Sequence, residues 1–242
     1  MRNKIIWVVL FILSIAFMVW ISGPAWIITV PTLFMIGVHE MGHLYAAKKF
    51  GLKTGGFYFI PGLGGAALLK EMPKERWKDF WIFYAGPVAG LLQVIALMIL
   101  NIWLKQPLLD ILAGIWAFIN LLNLFPMLPL DGGKIFWSIL SPDDVSVSGS
   151  YFQKLPYYFF TGISVVALSS FAGLFFIVLV TMLGLLERKS LIYQELKSEK
   201  IPMTKKQRLY AIILFSALVL VLALLTYYNI RSYLPLITSK SQ

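Results

Sequence analysis

His39 and His43 stand four residues apart in Val38-His39-Glu40-Met41-Gly42-His43, and they are the only histidines in the chain. On a helix this spacing puts both imidazoles on one face about one turn apart, where two ring nitrogens reach one metal ion. Glu40, beside the first of them, brings a carboxylate able to take a proton from a metal-bound water. The pattern is that of a zinc hydrolase. A catalytic zinc usually has three protein ligands and one position open for water. The chain has no third histidine and no cysteine, so the remaining ligand must be a carboxylate, and Asp131 in Leu130-Asp131-Gly132-Gly133 is the best candidate. An Asp-Gly pair is also a common turn former, and a His-x-x-x-His spacing arises by chance on apolar helices. The setting of the motif decides between these readings.

That setting is lipid. The 242 residues are 59% hydrophobic and 13% charged, with a mean hydropathy of +0.80 and several near-continuous apolar runs of membrane-spanning length. A soluble chain of this length has no way to hide so much apolar surface, so this is an integral membrane protein with the bilayer as its main partner. Within the hydrocarbon an ionisable group costs about 2.5 to 3.5 kcal/mol on insertion scales. Glu40 without a partner would be an expensive ornament, and a metal with its water supplies that partner. Lys and Arg number 21 against 11 Asp and Glu, a net charge of +10. These charges fall in short segments between apolar runs, where they orient the chain in the membrane, so no nucleic-acid partner is expected.

The elements that must position these residues follow from hydropathy and charge. The whole chain, 1–242, reads as a single integral membrane domain. The expected fold is all-α and polytopic, with six or seven transmembrane helices and a small membrane-associated β-hairpin between the second and third. Arg2 and Lys4 ahead of an apolar run at 5–21 resemble a signal peptide. Ser22-Gly23-Pro24 is a poor cleavage context and another apolar run follows at once, so the expectation is an uncleaved first span with a cytosolic N-terminus. The second span, about 25–47, carries the histidines, and Lys48, Lys49 and Lys53 mark its cytosolic end. The site therefore lies inside the membrane toward the cytosolic face. Residues 51–79 form the hairpin and a cytosolic loop. Bare strand edges do not face lipid, so the hairpin is covered by protein, lines a wet cavity or pairs with an incoming chain.

The third span, about 80–104, holds Ala85-Gly86-Pro87-Val88-Ala89-Gly90, which reads first as small-residue helix packing with a proline kink. After a tight turn at Lys105-Gln106-Pro107, a fourth span returns from about Leu108 and is broken by Pro126 and Pro129 just before Asp131-Gly132-Gly133. The second and fourth spans run in the same direction, so Asp131 falls at a depth similar to that of the histidines. Residues 141–154 read as a polar cytosolic loop. The apolar run 156–186 is too long for one ordinary span and short for two. The basic loop 187–208, with seven Lys/Arg and three Glu, favours the cytosol. That placement favours a hairpin turning near 169–173 and seven crossings over six, with a last span at 209–225 and a weakly charged external tail.

With these residues in this order, the chain resembles the site-2 protease family of intramembrane zinc metalloproteases. The resemblance rests on His39-Glu40-Met41-Gly42-His43 in one span, Ala85-Gly86-Pro87 in the next, and Asn123, Pro126, Pro129 and Asp131-Gly132-Gly133 in a later one. It covers residues 25–140, the catalytic core. The chain leaves no room for the PDZ or CBS domains of some members, so the compact form is expected. The resemblance implies one zinc ion per chain on His39, His43 and Asp131, with Glu40 as general base. It also implies hydrolysis of a peptide bond in or near the transmembrane segment of a single-span membrane protein, at the cytosolic side of the cell membrane. Asn123 is implied to position the substrate backbone or the oxyanion; capping of a helix end is its plainer reading. Two other classes compete: a membrane scaffold or escort with a structural or vestigial zinc site, and a metal transporter. A structural site more often has four protein ligands, and a transporter would spread acidic residues along several spans. The substrate, the cut position and the oligomeric state are not legible.

Overall fold

The structure, a computed structural model, describes residues 16, 23–60, 64–128, 130–140 and 200–238. Among these the chain is mostly helical: α1 (Trp26–Lys49), led in by the 3-10 turn Gly23–Ala25; α2 (Arg76–Leu104); α3 (Pro107–Asn123); α4 (Asp131–Leu140); and α5 (Lys205–Thr238). Two strands, β1 (Thr54–Ile60) and β2 (Gly64–Leu69), stand between α1 and α2. Helix α1, helix α2 and the Lys205–Arg231 part of α5 are each long and apolar enough to cross a membrane. The chain is a multi-pass membrane protein. Helix α3 has 17 residues, which at about 1.5 Å per residue gives roughly 26 Å, close to the thickness of the hydrocarbon. Apart from residue 16, the expected first span at 5–21 lies outside the described residues, as do the loop at 141–154, the run at 156–186 and the basic stretch up to 199, and with them the choice between six and seven crossings.

The chain divides into two compact units. The first comprises residues 1–71, 85–120 and 220–242. Within it, α1 buries Met35, His39, His43 and Ala47 in a row of four-residue spacing, while Phe34, Met41 and Tyr45 are exposed on another face. A mixed polar-apolar buried row opposite a large, mainly apolar exposed face suits lipid as solvent. The helix ends in a Schellman motif: Leu52 N–H donates to the Ala47 carbonyl at 3.0 Å and Gly51 N–H to the Lys48 carbonyl at 2.9 Å. Gly51 takes the left-handed φ of +76° that this closure needs. The strands that follow pair antiparallel, with Phe57 opposite Ala67 and Tyr58 opposite Ala66, and both run alongside α1. At the other end of the unit, the tight turn into α3 is closed by Asn101, whose Oδ1 accepts from Gln106 N–H at 2.7 Å while Lys105 adopts φ +49°.

The second unit comprises residues 72–84 and 121–219. Arg76 N–H donates to the Ile201 carbonyl at 3.1 Å and Ile201 N–H to the Lys74 carbonyl at 2.8 Å. Beside this bridge, the buried Lys200 and Asp79 form an ion pair. Tyr84 Oη donates to the Leu214 carbonyl at 3.1 Å, and the rings of Phe136 and Phe215 meet edge-on. Helix α3 stops at Asn123, three residues before Pro126, and a turn packed around Met127, Leu122, Phe125 and Leu130 leads to α4.

The last helix departs from the expectation. It starts at Lys205, four residues before the apolar run, and continues to Thr238, well past the expected end at 225. Thr204 and Gln207 form a capping box: Gln207 N–H donates to Thr204 Oγ1 at 3.2 Å and Thr204 N–H to Gln207 Oε1 at 2.9 Å. No glycine or proline interrupts the sequence from there to Pro235, so the helix outlasts its own hydrophobic stretch.

Candidate metal centre

Helix α1 presents the two histidines as the spacing predicts. Both are buried, and His39 Nε2 and His43 Nε2 lie 3.3 Å apart with the rings at a steep angle. Two nitrogens on adjacent corners of a tetrahedral zinc, with Zn–N distances of about 2.0 to 2.1 Å, would be about 3.3 to 3.4 Å apart. The pair therefore fits the ion without rearrangement. Glu40, the next residue along the helix from His39, is half-buried.

Two features around the histidines go beyond the sequence reading. The first is Asn120, in the last turn of α3. Its Oδ1 lies 3.0 Å from His39 Nδ1, the ring nitrogen away from His43, and its Nδ2 donates to the Trp116 carbonyl at 2.9 Å. The second is the glycine pair of α2. A Cβ placed on Gly86 would run into Nε2 and Cε1 of His43 and come within 2.9 Å of His39 Nε2; one placed on Gly90 would run into the Asn120 amide. Gly42 of α1 is equally tight against Ala85 and Ala89. Small-residue packing is thus what Ala85-Gly86-Pro87-Val88-Ala89-Gly90 does, and it packs directly against the candidate ligands. Helix α2 runs unbroken through Pro87.

In the second unit, Asp131 is the first residue of α4 and is buried. Asn123 Nδ2 donates to Asp131 Oδ2 at 2.6 Å, and Asp131 N–H reaches back toward Asn123 Oδ1 at 3.4 Å. Asn123 therefore spans the break between the helices and fixes the carboxylate. Gly132 and Gly133 leave no room for a side chain: a Cβ on either would run into the backbone of 124–125 or 127–128. The Asp-Gly-Gly run is a close-approach device that lays the proline-containing turn over the start of α4.

Residues 27–106, which hold α1, both strands and α2, match Peptidase family M50. The chain is similar to the zinc metalloprotease MJ0392 of Methanocaldococcus jannaschii, with 34% identity over 58% of this chain and 37% of that protein. It is similar to the putative zinc metalloprotease sll0528 of Synechocystis, with 32% identity over 49% of this chain and 34% of that one. Stage IV sporulation protein FB of Bacillus subtilis is 29% identical over 45% of this chain and 38% of its own length. The matched stretch thus spans little more than a third of these relatives. Over these residues the chain is similar to peptidase family M50, and its relatives support the site-2 protease family.

Proposed function

We propose that the chain is an intramembrane zinc metalloprotease that hydrolyses a peptide bond in or near the transmembrane segment of a single-span membrane protein. One zinc per chain would sit on His39, His43 and Asp131. The observation that carries this reading is the buried histidine pair of α1, whose Nε2 atoms lie 3.3 Å apart, the separation of two corners of a zinc tetrahedron. Asp131, buried in the second unit with its carboxylate held by Asn123, would supply the third ligand and leave one position open for water. Similarity to a zinc metalloprotease of Methanocaldococcus jannaschii and a putative one of Synechocystis supports the same metal.

Zinc bound there would acidify a water molecule and polarise the scissile carbonyl. Glu40 accepts the proton of the attacking water and hands it to the departing amine nitrogen. Asn123 holds the Asp131 carboxylate and contributes to binding the substrate backbone or the oxyanion. The strands β1 and β2 take up the locally unwound substrate as a further strand, since main-chain hydrogen bonds give affinity without strict sequence selection. The N-terminus lies in the cytosol, α1 runs inward, and the site opens toward the cytosolic face of the cell membrane.

Metal analysis of the purified full chain tests the ligand set. Wild type and Glu40→Gln are expected to hold about one zinc each, and Asp131→Ala to lose it on dialysis against a weak chelator. A wild type that takes up no zinc, or an Asp131→Ala chain that keeps it as tightly, overturns the reading.

A further inference from the structure

Asn120 is 1% exposed and none of the motifs that mark the site contains it. We propose that Asn120 is a positioning residue that holds His39 in its Nδ1–H tautomer and so turns the Nε2 lone pair toward the metal. The inference rests on the zinc reading above for its consequence, but its first step is a matter of hydrogen-bond bookkeeping alone.

A neutral imidazole carries one N–H, and its partner decides which nitrogen bears it. The amide of Asn120 has a defined orientation. One end faces the Trp116 carbonyl at 2.9 Å, and a carbonyl only accepts, so that end is the NH2 group. The same nitrogen points at the Met35 sulfur at 3.7 Å, again an acceptor. A flipped amide would set oxygen against oxygen at Trp116. Oδ1 is therefore the atom that faces His39, and because it only accepts, Nδ1 of His39 must donate across the 3.0 Å gap. His39 Nε2 is left without a hydrogen, 3.3 Å from His43 Nε2.

The amide is held from three sides. Its bond to the carbonyl four residues back ties it to its own helix, Met35 of α1 closes a second side, and Gly90 of α2 closes the third with backbone where a Cβ would collide. The bond from His39 Nδ1 is buried on both sides, Asn120 being 1% and His39 5% exposed. Supporting groups of this kind are typically worth 10- to 100-fold in metal affinity.

Two substitutions separate positioning from packing. Asn120→Leu keeps the volume and removes the acceptor. Asn120→Asp keeps the acceptor toward His39 but loses the donor to Trp116. Because the chain has two histidines, 15N-histidine labelling of the metal-free full-length protein resolves just two rings, read at a pH where both are neutral. Wild type and Asn120→Asp are expected to show His39 protonated on Nδ1, and Asn120→Leu to shift it toward Nε2–H. Zinc affinity by chelator competition should fall about 10- to 100-fold in Asn120→Leu and stay within a few-fold of wild type in Asn120→Asp. A wild-type His39 protonated on Nε2 overturns the proposal even if Asn120→Leu fails to fold. So does an aspartate variant as impaired as the leucine one with the tautomer unchanged, which is the result of mere packing. A wild type with the Nδ1–H tautomer but no zinc uptake overturns the metal reading instead.

Discussion

A methyl group on Gly86 has nowhere to go: it would meet the His43 ring and crowd His39 Nε2. The backbone of α2 is fixed by its neighbours, so the ring atoms must yield, and they are the ones that would bind metal. Gly86→Ala is therefore expected to lower zinc affinity at least 10-fold while the protein remains helical by circular dichroism; equal affinity would show that the rings can retreat without cost. The asparagines of α3 illustrate the same dependence from the other side. Asn120 meets His39 in one unit and Asn123 meets Asp131 in the other, so each supports a candidate ligand through a hydrogen bond. Beside the plainer reading of Asn123, capping of its own helix end, stands a bond that reaches across the break to the next helix.

At the scale of elements, the histidine helix was legible because ligand spacing and helical period coincide in one short stretch. Asp131 was singled out as the candidate third ligand by elimination, since the chain offers no third histidine and no cysteine. Asn120 was not, because an amide on an apolar helix looks the same in sequence whether it packs or positions. Gly86 and Gly90 announced close packing, but a local pattern does not say which side chains lie across the gap. The limits of α5 were missed for a different reason. Hydropathy marks where lipid ends, whereas the capping box at Thr204 and Gln207 marks where the helix begins, and the two are four residues apart. The end of α1 shows the two criteria agreeing: the lysines that mark the aqueous boundary stand beside Gly51, the residue that closes the helix.

For the whole molecule, the proposed alternation of spans says which groups meet the cytosol, and the chain is well suited to a test because it contains no cysteine. Lys53, after α1, and Lys105, in the turn between α2 and α3, should lie on opposite sides of the membrane. Single Lys53→Cys and Lys105→Cys chains are expected to differ in intact cells: an impermeant maleimide labels position 105 from outside and reaches position 53 only after permeabilisation. Labelling of both from the same side would invert the placement of the site. Orientation, metal and base come together in one claim, that this protein cuts other membrane proteins with Glu40 as its proton acceptor. Quantitative proteomics of membranes carrying either wild type or Glu40→Gln tests it most directly. At least one single-span protein should appear shortened with wild type and accumulate at full length with Glu40→Gln, a loss of cleavage of at least about 100-fold for removal of a general base. The same fragments formed equally by both chains would contradict the account.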